Sequence, residues 1–68
     1  MDWYDSEDIA EMLLENDPET DPLTVRFTDL RQRVLALPGF EGNPSACSEA
    51  ILEGIQMAWL AAYQDSQN

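Results

Sequence analysis

Asn43-Pro44-Ser45-Ala46-Cys47-Ser48-Glu49-Ala50-Ile51-Leu52-Glu53-Gly54-Ile55-Gln56-Met57-Ala58-Trp59-Leu60-Ala61-Ala62-Tyr63 carries the longest helical period in the chain. Asn43-Pro44 reads as an N-cap followed by proline at the first helical position, where the missing N–H costs nothing. The helix that follows is expected to run to about Tyr63 and to bury Ile51, Ile55, Ala58, Trp59 and Ala62. Glu49, Glu53 and Gln56 fall on the opposite, solvent side. A stripe of that length needs other elements to cover it, so the rest of the chain is read for helices that can do so.

Working upstream, Pro38-Gly39 ends a shorter helix in which Leu30, Val34 and Leu37 recur at i, i+4, i+7, with Thr28 as its expected N-cap. Thr24, Val25 and Phe27 favour an extended strand or an irregular connection over Leu23 to Phe27. Asp17-Pro18 breaks the chain before it, because the residue preceding proline is pushed out of the α region. The first helix is expected from about Ser6 to Asn16. Ile9, Met12 and Leu13 form its apolar face; Asp5 or Ser6 can cap it, with Asp8 three residues after Asp5 in a capping-box-like relation. The expected fold is mainly α: a winged-helix-like small domain of three helices with a short extended segment, one domain over residues 1–68.

Charge then narrows the function. The 68 residues carry 14 acidic and 3 basic side chains, a formal net charge of −11, with all three cations arginine and no histidine. Nucleic-acid affinity comes largely from cations that displace counterions, so neither DNA nor RNA is an expected partner. An anionic membrane surface is disfavoured on the same ground. Without histidine there is no Ser-His-Asp or Cys-His arrangement, and a non-enzymatic protein is expected. Met1-Asp2-Trp3-Tyr4-Asp5 lacks the basic and apolar regions of a signal peptide, and Met57 to Tyr63 is far too short to span a bilayer, so a soluble cytoplasmic protein is expected.

Nine of the 14 carboxylates precede residue 22, with no cation among them. Glu7, Asp8, Glu11 and Glu15 fit inside an arc of about 100° on another face of the first helix. Two readings stand: a solvated face that keeps a small protein in solution, or a surface that binds a partner or a hard cation through oxygen ligands. A calcium loop is excluded. Asp17, Glu19 and Asp21 alternate as its first ligands would, but the sixth position is Pro22 and the twelfth Thr28.

Cys47 is either near a helix start, where free amides lower a thiol pKa, or a small apolar residue on the stripe leading to Ile51. Trp3-Tyr4 either staples the start of the first helix or offers an aromatic anchor. Trp59 and Tyr63 read as core and rim. Arg26, Arg31 and Arg33 either balance the acidic helix internally or form a separate patch.

Trp3-Tyr4-Asp5-Ser6, Asp21-Pro22-Leu23-Thr24-Val25-Arg26-Phe27-Thr28-Asp29-Leu30, Ser48-Glu49-Ala50-Ile51-Leu52-Glu53 and Ile55-Gln56-Met57-Ala58-Trp59-Leu60 together resemble the IscX family, also called YfhJ. The resemblance covers about Trp3 to Leu60, and the run from Asp21 to Leu30 is its specific part. It implies a small acidic accessory or regulator of bacterial iron–sulfur cluster assembly that binds the cysteine desulfurase IscS, competes there with bacterial frataxin and ferredoxin, and modulates sulfur transfer. It also implies weak binding of iron (Fe2+/Fe3+), no organic cofactor and a monomer. The family's iron-binding surface maps onto Asp5, Asp8, Glu11 and Glu15, and its partner-binding surface onto Glu7, Asp8, Glu11, Glu15, Glu19 and Asp21. An iron donor to the machinery, or an acidic interaction domain outside iron–sulfur metabolism, are the alternatives. The sequence departs from the family at Pro38 to Pro44, often more acidic there, and at Ser48, where asparagine is common.

Overall fold

The structure, a computed structural model, describes residues 1–67. Three helices form as expected: α1 (Ser6–Asn16), α2 (Phe27–Leu35) and α3 (Glu49–Ser66). Among the described residues there is no strand, and the domain is mainly α. The first and last helices make the principal packing pair, and α2 lies against both.

The core is built from every part of the chain. Ile9, Ala10 and Leu13 of α1, Leu30 and Val34 of α2, and Leu52, Ile55 and Trp59 of α3 are buried together with Trp3, Val25 and Leu37. Trp59 sits at its centre, fully inaccessible, and its indole N–H has no hydrogen-bond partner. Removal of apolar surface of this kind from water is the main stabilising term in a small domain.

The segment expected to be extended is a 3-10 turn over Pro22–Thr24, with only Val25 and Arg26 extended after it. The turn wins because Asp21 Oδ1 accepts from Leu23 N at 3.0 Å and Pro22 fills the first helical position. A strand needs a neighbour to satisfy its backbone, and here none is present among the described residues. The turn packs on α3, where Gln56 Nε2 donates to Pro22 O at 3.1 Å. Gln56 is therefore half-buried, not on the solvent side.

Helix starts differ from expectation in the same way. Arg26 rather than Thr28 is the N-cap residue of α2, so Phe27 enters the helix and packs against the core. Asn43-Pro44 caps a separate 3-10 turn, Pro44–Ala46, with Asn43 Oδ1 accepting from Ser45 N. Ser48 caps α3, its Oγ accepting from Ile51 N at 3.2 Å. The buried stripe of α3 runs through Leu52, Ile55 and Trp59, whereas Ile51, Ala58 and Ala62 are half-buried. The helix also continues to Ser66, beyond Tyr63.

The N-terminus is tied to the loop after α2. Trp3 is buried; its Nε1 donates to Asn43 O at 2.7 Å and its ring meets Phe40 edge-on, centroids 4.8 Å apart. Glu41 N donates to Met1 O at 2.8 Å. Gly42 makes this approach feasible, since a Cβ there would lie 2.8 Å from Trp3 Cδ1. Gly39, at φ +80°, turns the chain out of α2 toward this contact.

Candidate functional site

The apolar face of α1 is fixed against α3, which aims its opposite face at solvent. Glu7, Asp8, Glu11 and Glu15 are all exposed there. Glu7/Glu11 and Glu11/Glu15 stand at i, i+4, where like charges destabilise an exposed helix by a few tenths of a kcal/mol, ~0.2–0.5 per pair. Neither ion pair of the described residues involves an α1 side chain. Only Glu7 and Asp8 lie in the first turn, where the helix macrodipole favours negative charge.

The cations are employed elsewhere. Arg33 Nη1 lies 2.7 Å from Asp17 Oδ2, just past the end of α1, and its Nε lies 3.4 Å from Asp29 Oδ2. Its guanidinium also stands 6.0 Å from the Trp59 ring centroid, at the outer limit of a cation–π contact. Arg31 Nη2 donates to Pro44 O at 2.9 Å. Arg26 is exposed. Internal balancing thus holds for Arg33 at the foot of α1, and the acidic face itself is left uncompensated.

The sequence-derived site residues fall into separate groups. Asp5, Glu7 and Asp8 line an open hollow of about 380 Å³ at the start of α1, together with Tyr4 and Ser6. Asp5 occupies the N-cap position without capping; its Oδ2 instead accepts from Asp2 N at 2.8 Å, so the expected capping box does not form. Glu7 and Glu11 border a second groove, between α1 and α3. Glu15 and Glu19 are exposed but line neither. Asp21 is half-buried and held as the cap of the Pro22–Thr24 turn. Among the described residues, no three His, Cys, Asp or Glu side chains converge closely enough to hold a metal ion. The donors are the oxygen type that hard iron ions prefer, but they are not gathered into a shell.

The aromatic pair divides its roles. Trp3 is the staple, whereas Tyr4 is 83% exposed beside the acidic hollow. Cys47 lies outside α3, half-buried against the core, and receives no amide from the helix start. Burial pushes its thiol pKa up, and nearby Arg31 only partly opposes this. Of the two readings of Cys47, the small apolar residue packed against the core is the one observed.

The site is thus an acidic helix face, without cations of its own, on a three-helix scaffold. The chain matches the iron–sulphur cluster assembly family over residues 1–64. It belongs to that family, the IscX/YfhJ family. An uncharacterized protein of Pseudomonas aeruginosa is 47% identical over 58 residues, covering 85% of this chain and 88% of the relative. Membership places the protein in iron–sulfur cluster assembly, and no helix among the described residues is long and apolar enough to cross a membrane. Within the IscX/YfhJ chain, Asp65 is the site residue that sequence reasoning missed. It borders the α1–α3 groove opposite Glu7 and Glu11, on the turn of α3 that extends past Tyr63.

Proposed function

We propose that this IscX/YfhJ protein acts by docking its α1 face on the cysteine desulfurase, IscS, and so tunes sulfur transfer to the growing cluster. The carrying observation is that Glu7, Asp8, Glu11 and Glu15 are exposed on one helix while Arg31 and Arg33 are engaged at other sites. A face of one sign steers a partner with a basic patch, giving fast association that weakens as salt rises. Its role is occupancy: it governs access to the desulfurase in competition with bacterial frataxin and ferredoxin, and performs no turnover itself. The protein works as a monomer in the cytoplasm.

Iron enters this reading as cargo or effector, held weakly by Asp5, Asp8, Glu11 and Glu15. The scattered placement of these carboxylates supports low affinity, since each contributes oxygen ligands without a preformed cage. Regulation is favoured over iron donation because a docking face functions with its carboxylates empty.

Calorimetric titration into the purified desulfurase, at low and moderate salt, tests the docking. Saturable binding that weakens with salt is expected. Combined Glu11→Lys and Glu15→Lys substitution should abolish it while leaving the helical circular-dichroism signal intact. Wild-type affinity in that double variant, at matched salt, refutes the assignment. A desulfurase assay with iron removed then separates the roles: inhibition that persists is regulation, and inhibition that vanishes is iron-dependent.

A further inference from the structure

The groove between α1 and α3 combines two features that acidic surfaces generally lack. Its floor is small and apolar, with Ala10 from α1 and Ala58, Ala61 and Ala62 from α3. Its rim is acidic, with Glu7 and Glu11 on one side and Asp65 on the other. The groove is shallow and open to solvent, with a volume of about 420 Å³. No arginine lines it.

We infer that this groove is a socket for an arginine- or lysine-bearing segment of the protein partner. This rests on the docking reading above and adds where, and how, the partner is gripped. The chemistry of the two layers selects the occupant. A long basic side chain has an aliphatic stem that lies on apolar surface and a charged head that seeks carboxylates. The alanine floor accepts the stem because small side chains leave room above them. The three rim carboxylates receive the head, and a planar guanidinium suits them best because it presents several donors in fixed directions. An acidic segment would be repelled by the rim, and a purely apolar one would desolvate three carboxylates without compensation. Asp65 is thereby a partner-binding residue on α3, and the docking surface spans two helices rather than one.

The inference separates a shaped socket from a merely charged face, and a substitution that keeps every charge, Ala61→Leu, distinguishes them. Ala61 is exposed, so Ala61→Leu fills the groove without disturbing the core or any carboxylate, and leucine suits a helix. Affinity for the purified desulfurase should fall about tenfold with an unchanged salt slope, as expected when a contact is blocked and steering is kept. Asp65→Asn should weaken binding about threefold and reduce the salt slope, the size of a rim-charge effect. Glu53→Gln, exposed on α3 but outside the groove, should leave affinity unchanged.

A second probe is independent of the desulfurase: a capped alanine-rich helical peptide with arginines on one face, against its citrulline counterpart. In amide proton–nitrogen spectra the arginine peptide should shift Ala58, Ala61, Ala62 and Asp65, and the citrulline peptide should not. If the desulfurase binds the wild type, Ala61→Leu and Asp65→Asn equally, the socket is overturned while docking stands. If the desulfurase does not bind but the arginine peptide shifts the groove, the docking reading fails and the socket stands. No desulfurase binding and no groove shifts overturn both.

Discussion

Helices α1 and α2 handle charge in opposite ways. On α1 four carboxylates face solvent with no cation to meet them, whereas on α2 Arg31 and Arg33 each reach a specific acceptor in a neighbouring loop. The cations of α2 secure structure: Arg33 pins the end of α1 through Asp17, and Arg31 holds the Pro44–Ala46 turn. Among the described residues, no carboxylate of α1 forms an ion pair. With three cations available, the chain uses two of them, Arg31 and Arg33, on its own connections, and the acidic face of α1 stays open to solvent.

The comparison can be broken most completely from the inside. Leu13 anchors α1 from its buried face, and Leu13→Ala should cost about 2–5 kcal/mol through lost burial and a residual cavity. For a domain of this size that approaches the whole stability, ~0.05–0.15 kcal/mol per residue. Urea unfolding followed by circular dichroism should show a transition shifted to much lower denaturant, or none. A transition at the wild-type midpoint would mean that α1 is not held by its inner face.

Arg33→Gln tests the structural role assigned to α2. It removes two ion pairs and the packing of the arginine stem, and should lower stability by about 1 kcal/mol, since partly exposed pairs are worth little singly. Thermal unfolding at low and high salt measures the loss, which should shrink as salt screens the wild-type pairs.

A smaller and opposite effect is expected on α1. Glu11→Lys converts two like-charge i, i+4 pairs into attractive ones and should stabilise the fold by about 0.5 kcal/mol. A higher melting midpoint in low salt, vanishing at high salt, is the signature. Destabilisation would show that the acidic face has internal partners.

The smallest effect concerns the cation nearest Cys47. The folded thiol has a raised pKa, so native protein binds its proton more tightly than unfolded chain does. The associated stability is fully present below the pKa of the unfolded thiol and is lost as pH rises through the higher folded value. Alkylation of Cys47 should therefore accelerate only in alkaline solution, at higher pH than in the urea-unfolded protein. Arg31→Gln removes the opposing cation and should push this onset higher still. An onset in the native protein below that of the unfolded chain would contradict it.

Much of this fold was legible because local chemistry and tertiary packing agreed. The bounds of α1 follow from its apolar period and the break at Asp17-Pro18, and Ser6–Asn16 is the observed span. The start of α3 was not legible. Asn43-Pro44 and Ser48 carry the same kind of capping signal, and only packing decides which opens a long helix. Packing also decides which side of the apolar stripe turns inward: Leu52 is buried and Ile51 only half-buried, although both lie one turn before Ile55. The hydrogen bond from Gln56 to Pro22 links residues 34 apart in sequence, so no local pattern announces it. The acidic face was plain from spacing alone. The groove beside it was not, because Asp65 lies past the point where the apolar stripe runs out.

The pairing of the first helix with the last has a consequence for how the chain acquires its structure. As synthesis proceeds, α1 emerges with Ile9 and Leu13 unable to find their cover, because α3 is the last of the three helices to appear. The latch from Trp3 to Asn43 likewise spans 40 residues. Loops of that length close slowly relative to local helix formation, and contacts between distant segments delay the folding transition. Cooperative folding must therefore wait until α3 has left the ribosome, because its buried face is what covers Ile9 and Leu13.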